Sequence, residues 1–269
     1  MWGQPTVNAA KQALADLNAA GGVFGQPVEL VVGDNGTLPE QAVSEAKRLV
    51  SVEGAQVLID GGGSGLCLAD KVSVAVPNHV MIIGQTCISP AHTADQSEGA
   101  GYFFRARGPI AGLFGPIAKV MAADGVTNVC FPYALDAFGQ SSLTSFTDAF
   151  IKLVPSAVVD AVALPDSPAT SYLAEAQKCT ALGRDTVATG ARNEGQLDVF
   201  AKDAIEHGLV KHWYMGEDQE TPSLFETVGW DALDGSKGFS GSGLPGPDFE
   251  FFRTNYATLY GGPAAVPLM

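Results

Sequence analysis

Apolar positions recur along this chain in two alternating rhythms. Val7, Ala10, Leu14 and Leu17 fall on one helical face, and Gly21-Gly22 ends that helix. Residues 28–32 form a short apolar run that reads as a strand and stops at Gly33-Asp34. Ala42, Val43, Ala46, Leu49 and Val50 make a second helical stripe, with Pro39 near its start. Residues 57–59 predict the next strand, which runs into Asp60-Gly61-Gly62-Gly63, followed by a helix over about 64–76 and a strand at 80–83. The same rhythm predicts helices at 109–123, 138–153, 168–182 and 194–207, and strands at 128–132, 157–164, 186–190 and 212–216. Apolar strands alternating with amphipathic helices imply parallel sheets covered on both faces. Ligands in such sheets bind beyond the carboxyl ends of the strands, so the residues just after each strand are the first candidates for a site. The rhythm breaks at Tyr102-Phe103-Phe104-Arg105, ahead of Gly108-Pro109, and again around Lys237-Gly238-Phe239. Both places suit a crossing between two lobes.

Composition narrows the function classes. The chain has 269 residues, 46% of them hydrophobic and 16% charged, which is globular rather than disordered. A net charge of −14 makes nucleic acid and anionic membranes poor partners. No run of about 18 apolar residues is present, so no membrane-spanning helix is expected. No signal peptide precedes the first helix, and an export leader is expected to lie outside this chain. Cys67, Cys87, Cys130 and Cys179 allow three pairings, and neither a CxxC nor a histidine at zinc spacing accompanies them. They read either as buried thiols or as disulfides formed in an oxidising compartment. His79, His92, His207 and His212 are scattered and form no metal or catalytic set. The Gly61-Gly62-Gly63 run is not followed by Lys-Ser/Thr, which excludes a P-loop, and its spacing fails the dinucleotide fingerprint. Neither an enzyme nor a cofactor is expected.

Several segments together resemble a known family. They are the Gly-Gln…Ala-Asp-Leu-Asn-Ala-Ala-Gly-Gly-Val-Phe-Gly-Gln-Pro-Val-Glu-Leu opening over residues 3–32 and Gly-Asp-Asn-Gly-Thr-Leu-Pro-Glu-Gln-Ala-Val at 33–43. Gly-Ser-Gly at 63–65, Gly-Tyr-Phe-Phe-Arg at 101–105 and Asp-Ala-Phe-Gly-Gln at 136–140 complete the set. In order and spacing these are similar to type I periplasmic binding proteins, the branched-chain amino-acid (Leu/Ile/Val) receptors of ABC importers, over essentially the whole chain. The resemblance implies an α/β fold of two Rossmann-like lobes with parallel sheets and a hinge. Residues 1–106 with 238–269 would form the first lobe and 107–237 the second. It also implies a periplasmic or extracellular monomer that holds a small solute between its lobes and delivers it to permease and ATPase subunits. The family opens with a strand that is absent here and continues beyond the last residues, so the chain is expected to be truncated at both ends.

Carried over position by position, the resemblance assigns ligand contacts. Ser64 and Gly65, at the helix start, would hold a ligand carboxylate with the backbone N–H groups of Cys87 and Ile88 in the loop after the next strand. For Ser64 an ordinary helix cap is the competing reading. Trp2 matches an aromatic that lies against the ligand. Phe138 stands where tyrosine is common and Ala191 where an aromatic is common, which would leave a larger, more apolar cavity. Asp218 aligns with the acid that pairs with a ligand amine, while Arg192 and Glu194 read as nearby surface charges. Cys67 and Cys87 would either bridge the two ligand loops or remain free thiols, and the pairing of Cys130 with Cys179 stays open. The expected ligand is an amino acid such as a branched-chain one, with no metal and no cofactor. Aromatic or aliphatic carboxylic acids, or a role as a sensor domain of the same fold, are the alternatives.

Overall fold

Parallel strands cannot be joined by hairpins, and the helices of this chain supply the crossovers. The computed structural model describes residues 3–94, 101–165, 169–181, 185–191, 195–216, 219, 221–238 and 247–261. The chain divides into two units, Met1–Gly108 with Gly243–Val266, and Pro109–Ser242 with Pro267–Met269. No helix of the described residues is long and apolar enough to cross a membrane.

The first unit begins with helices α1 (Gly3–Ala19) and α2 (Pro39–Ser51), then strand β1 (Val57–Asp60). A continuous helical stretch follows, made of α3 (Ser64–Asp70), a π-helical turn (Lys71–Ala75) and α4 (Val76–Asn78). Strand β2 (Met81–Gly84), the short α5 (Ala91–Ala94) and strand β3 (Phe103–Arg105) complete this part. The strands run parallel in the order β1-β2-β3. Period-two alternation sends Leu58, Ile82 and Phe103 to one face, where they pack with Ala46, Cys67, Val74 and Val80. Val57, Ile59 and Phe104, on the other face, are exposed.

The strand expected at 28–32 does not form. A strand exists through its ladder, and here the Asn18 side chain takes both polar groups of one residue. Val28 N donates to Asn18 Oδ1 (2.8 Å), and Asn18 Nδ2 donates to Val28 O (2.9 Å). Val31 and Val32 are left exposed.

The second unit runs α6 (Ala111–Ala123), β4 (Asn128–Ala134), α7 (Ala137–Leu153), β5 (Val158–Leu164), α8 (Leu173–Ala181) and β6 (Thr186–Ala188). It continues through α9 (Gln196–Glu206), β7 (His212–Met215), α10 (Pro222–Val228) and β8 (Lys237–Gly238). The sheet is parallel in the order β5-β4-β6-β7-β8. Strand β4 continues past Pro132, whose carbonyl still accepts from Gly190 N (2.9 Å). Phe131, Phe146 and Phe150 stack in sequence, Phe114 lies tilted against Phe131, and all four are almost fully buried. Cys130 of β4 and Cys179 of α8 are joined by a disulfide, which settles the pairing left open by the sequence. A helix not assigned from the sequence, α11 (Pro247–Tyr260), belongs to the first unit, where Tyr260 Oη donates to Asn8 O (3.0 Å) on α1.

Helix α7 starts hard against the end of β4, and the approach depends on Gly139. A Cβ at that position would lie 2.1 Å from Ala134 O, a backbone atom that cannot swing away. Gly139→Ala is therefore expected to destabilise the protein by about 1–3 kcal/mol, the usual cost of overpacking. A lowered urea midpoint would register it, and an unchanged midpoint would show that α7 can shift freely.

Candidate functional site

The site in the first unit is built from the loops that leave β1 and β2. Asp60 ends β1 and turns its Oδ1 back to accept from Gly62 N (2.7 Å), which folds the triglycine run over the strand end. Gly63, at φ 88°, caps α3 in a conformation that side chains resist. Ser64 is thus the first residue of the helix and not its cap, and its hydroxyl is released for another task. Ser64 Oγ accepts from Ser89 N (3.1 Å), while Thr86 Oγ1 accepts from Gly63 N (2.9 Å) and Asp60 O accepts from Gln85 N (2.9 Å). A disulfide between Cys67 and Cys87 ties helix to loop, with Cα atoms 6.1 Å apart.

Two cations hold the loop after β2 from beneath. Arg105, at the end of β3, donates to Cys87 O (3.2 Å), Ser89 O (3.0 Å) and Thr93 Oγ1 (3.2 Å). Lys71, buried in the π-helical turn, donates to His92 O (2.7 Å). Carbonyls that would be orphaned in an irregular buried loop are satisfied by charge-assisted hydrogen bonds. Neither residue was singled out from the sequence. A usable signal existed, since Lys71 stands alone among Leu66, Leu68, Val72, Val74 and Val76, where a cation must be either buried or misplaced.

Ser64, Gly65, Cys87 and Ile88 are therefore brought together. Ser64, Cys87 and Ile88 are buried, whereas Gly61, Gly62, Gly63, Gly65, Gln85 and Thr86 are half-buried. What the loops present is backbone. The first N–H groups of a helix lack intrahelical partners and sit at its positive end, so this corner suits an anion. Below it, burial pushes the carboxyls of Asp60 and Asp70 above the usual range, and a hydrogen bond between them lets the pair share a proton.

In the second unit Gln219 does comparable work. Its Oε1 accepts from Gly216 N (2.7 Å), and its Nε2 donates to Thr189 O (2.8 Å) and Ala191 O (3.2 Å). The loops after β6 and β7 are thereby locked together, a role that no spacing or periodicity announces. Phe138 is half-buried in the first turn of α7, whose cap Asp136 accepts from Gly139 N (2.9 Å). Ala191, expected to line a cavity, is fully buried in this unit's core. Trp2, Arg192, Glu194 and Asp218 lie outside the described residues.

His92 stacks on Phe103 with ring centroids 4.8 Å apart, and neither ring nitrogen has a hydrogen-bond partner among the described residues. Burial, with Arg105 and Lys71 adding to it, lowers its pKa to about 4. The unfolded chain binds this proton below about pH 6.5 and the folded one does not until about pH 4, so folding stability falls as pH drops through that window. His92→Phe is expected to keep the fold and remove that part of the pH dependence, measured by denaturant melts from pH 7 to 4. Parallel losses in the two proteins would refute the buried neutral histidine.

Comparison with known proteins agrees with this architecture. A family model described as periplasmic binding protein matches residues 1–267. A segment of 58 residues is 40% identical to an amino acid binding protein of Pseudomonas aeruginosa, and covers 22% of this chain but only 16% of that protein. The crystal structure of a leucine binding protein from Thermotoga maritima superposes with a TM-score of 0.84 at 18% identity, covering 98% of this chain and 73% of the other. An ABC transporter solute binding protein from R. palustris in complex with benzoate superposes with a TM-score of 0.78 at 18% identity, covering 98% and 72%. At such identities the structural likeness speaks for the fold alone.

Proposed function

The chain belongs to the periplasmic binding protein family, and from that premise we propose that it is the extracytoplasmic substrate-binding component of an ABC importer, specific for a small carboxylate-bearing ligand. The observation that carries the reading is the joined corner of the first unit. There the start of α3 and the loop after β2 are cross-linked by Ser64–Ser89, Gly63–Thr86 and Cys67–Cys87. Backbone N–H groups around Ser64, Gly65, Cys87 and Ile88 would take the carboxylate, Ile88 N exchanging its present acceptor, Thr86 O (3.1 Å), for the ligand, with the positive end of the helix adding charge complementarity. Trp2 and Phe138 would pack on the apolar part of the ligand, and Asp218 would take its amine. Ala191, where an aromatic is common, would leave a larger apolar cavity, and its carbonyl accepts from Gln219 Nε2 (3.2 Å). The two units would correspond to the lobes 1–106 with 238–269 and 107–237. Importer permease and ATPase subunits are the partners this role requires.

An amino acid is the first choice, supported by Asp218 and by the segment similar to an amino acid binding protein. An aromatic acid is the second, supported by Phe138 in place of a tyrosine and by the benzoate complex of a protein of the same fold.

A thermal-shift series separates them. A ligand at a hundred times its Kd adds about 2.7 kcal/mol to the native state, enough to raise the melting temperature by several degrees. Branched-chain amino acids are expected to give that shift, their carboxamides to lose it, and Asp218→Ala to abolish it. Shifts with benzoates or aliphatic acids that Asp218→Ala leaves intact would transfer the assignment to an amine-free acid. A carboxamide that shifts as well as its acid would overturn the anion corner itself.

A further inference from the structure

The loop corner contains a group of side chains that ligand binding does not use. One carboxylate oxygen of Asp60 and the sulfurs of Cys67 and Cys87 lie within 4.8 Å of one another, and all three residues are buried. Asp60 Oδ2 and Asp70 Oδ1 are buried with no donor against them among the described residues, and the two carboxyls interact with each other. The neighbouring cations are committed elsewhere, Lys71 to His92 O and Arg105 to the carbonyls of the loop. A buried carboxylate pair without a cation is costly, and a proton or a metal ion must offset the charge.

We propose that reduction of the Cys67–Cys87 bridge creates a site for a thiophilic divalent cation of the zinc class, held by Asp60, Cys67 and Cys87. The reduction is balanced by a dithiol: two electrons and two protons pass to the bridge, which becomes two thiols, and the donor closes to its own disulfide. The cation then displaces both thiol protons. Thiolate sulfur at about 2.3 Å and carboxylate oxygen at about 2.0–2.2 Å are the usual zinc distances, and donors this closely grouped reach them with small side-chain rotations. Two thiolates select a soft or borderline ion over magnesium or calcium. Asp70, hydrogen-bonded to Asp60, is placed either to complete the ligand set or to orient Asp60. The Cys130–Cys179 pair has no such company, since no third His, Cys, Asp or Glu donor groups with it among the described residues. Because the cation would join the same helix and loop as the disulfide, the corner would stay tied in both redox states.

Cobalt(II) is the probe. The whole chain is reduced with a trialkylphosphine, which takes oxygen from water as the S–S bond opens, then desalted without air and titrated with cobalt. A single equivalent is expected to bind, with thiolate-to-cobalt charge transfer in the near ultraviolet and the visible bands of a tetrahedral ion. Zinc should bleach both. Asp60→Asn should weaken binding at least about tenfold while circular dichroism stays native. The oxidised protein should show neither band. A reduced, folded protein without the charge-transfer band overturns the proposal and leaves a shared proton as the only charge on the carboxylate pair. A band that survives Cys67→Ser with Cys87→Ser overturns it equally, by moving the site to Cys130 and Cys179. Should a cysteine variant fail to fold, the reduced native sequence compared with Asp60→Asn still decides.

Discussion

A loop that is buried without being helix or strand must find partners for every polar group of its backbone. The segment after β2 obeys that constraint, and much of the first unit is arranged around it. Arg105 satisfies its carbonyls, Lys71 holds His92 O in the short helix that follows it, Ser64 and Asp60 receive its N–H groups, and Cys67 anchors it covalently. The partners sit on β1, β3, α3 and the π-helical turn, so the loop cannot loosen without disturbing these elements together.

The second unit meets the same constraint with one neutral side chain. Gln219 carries a donor pair and an acceptor on a single planar amide, and it uses both to join the ends of β6 and β7. The solutions differ in their electrostatics. In the first unit full positive charges are drawn to the loop and the short helix after it, and burial raises the pKa of two carboxyls, Asp60 and Asp70. In the second unit the lock carries no charge.

The alternation of strands and helices was legible because it is written in side-chain burial, which periodicity records directly. The order of elements followed from local patterns, and the grouping of Ser64 with Cys87 and Ile88 from the family resemblance. The strand at 28–32 failed because an apolar run does not specify a ladder: Asn18 holds the hydrogen bonds of Val28, and Val31 and Val32 stay exposed. Gly63 displaced Ser64 from the cap because a turn at φ 88° is cheap only for glycine. Arg105 and Gln219 stayed hidden because each acts mainly on main-chain atoms, and main-chain acceptors leave no trace in the identity of the residues that carry them; Lys71 acts the same way, but its place in an apolar run was a signal. The disulfides were undetermined because pairing is a property of the folded distances alone.

The outer face of the first sheet has a consequence for how the protein behaves in bulk. Val57, Ile59 and Phe104 lie exposed on it, and β1 is the terminal strand of that sheet among the described residues. Phe24, at the tip of a tight turn, is also fully exposed. Surfaces of this composition attract one another, and a terminal strand offers them a template. What keeps molecules apart is a net charge of −14, a repulsion that physiological salt confines to about 8 Å. Colloidal stability is therefore electrostatic, and added salt, above all a strongly excluded one such as sulfate, works against it from both directions by screening the repulsion and strengthening the apolar attraction.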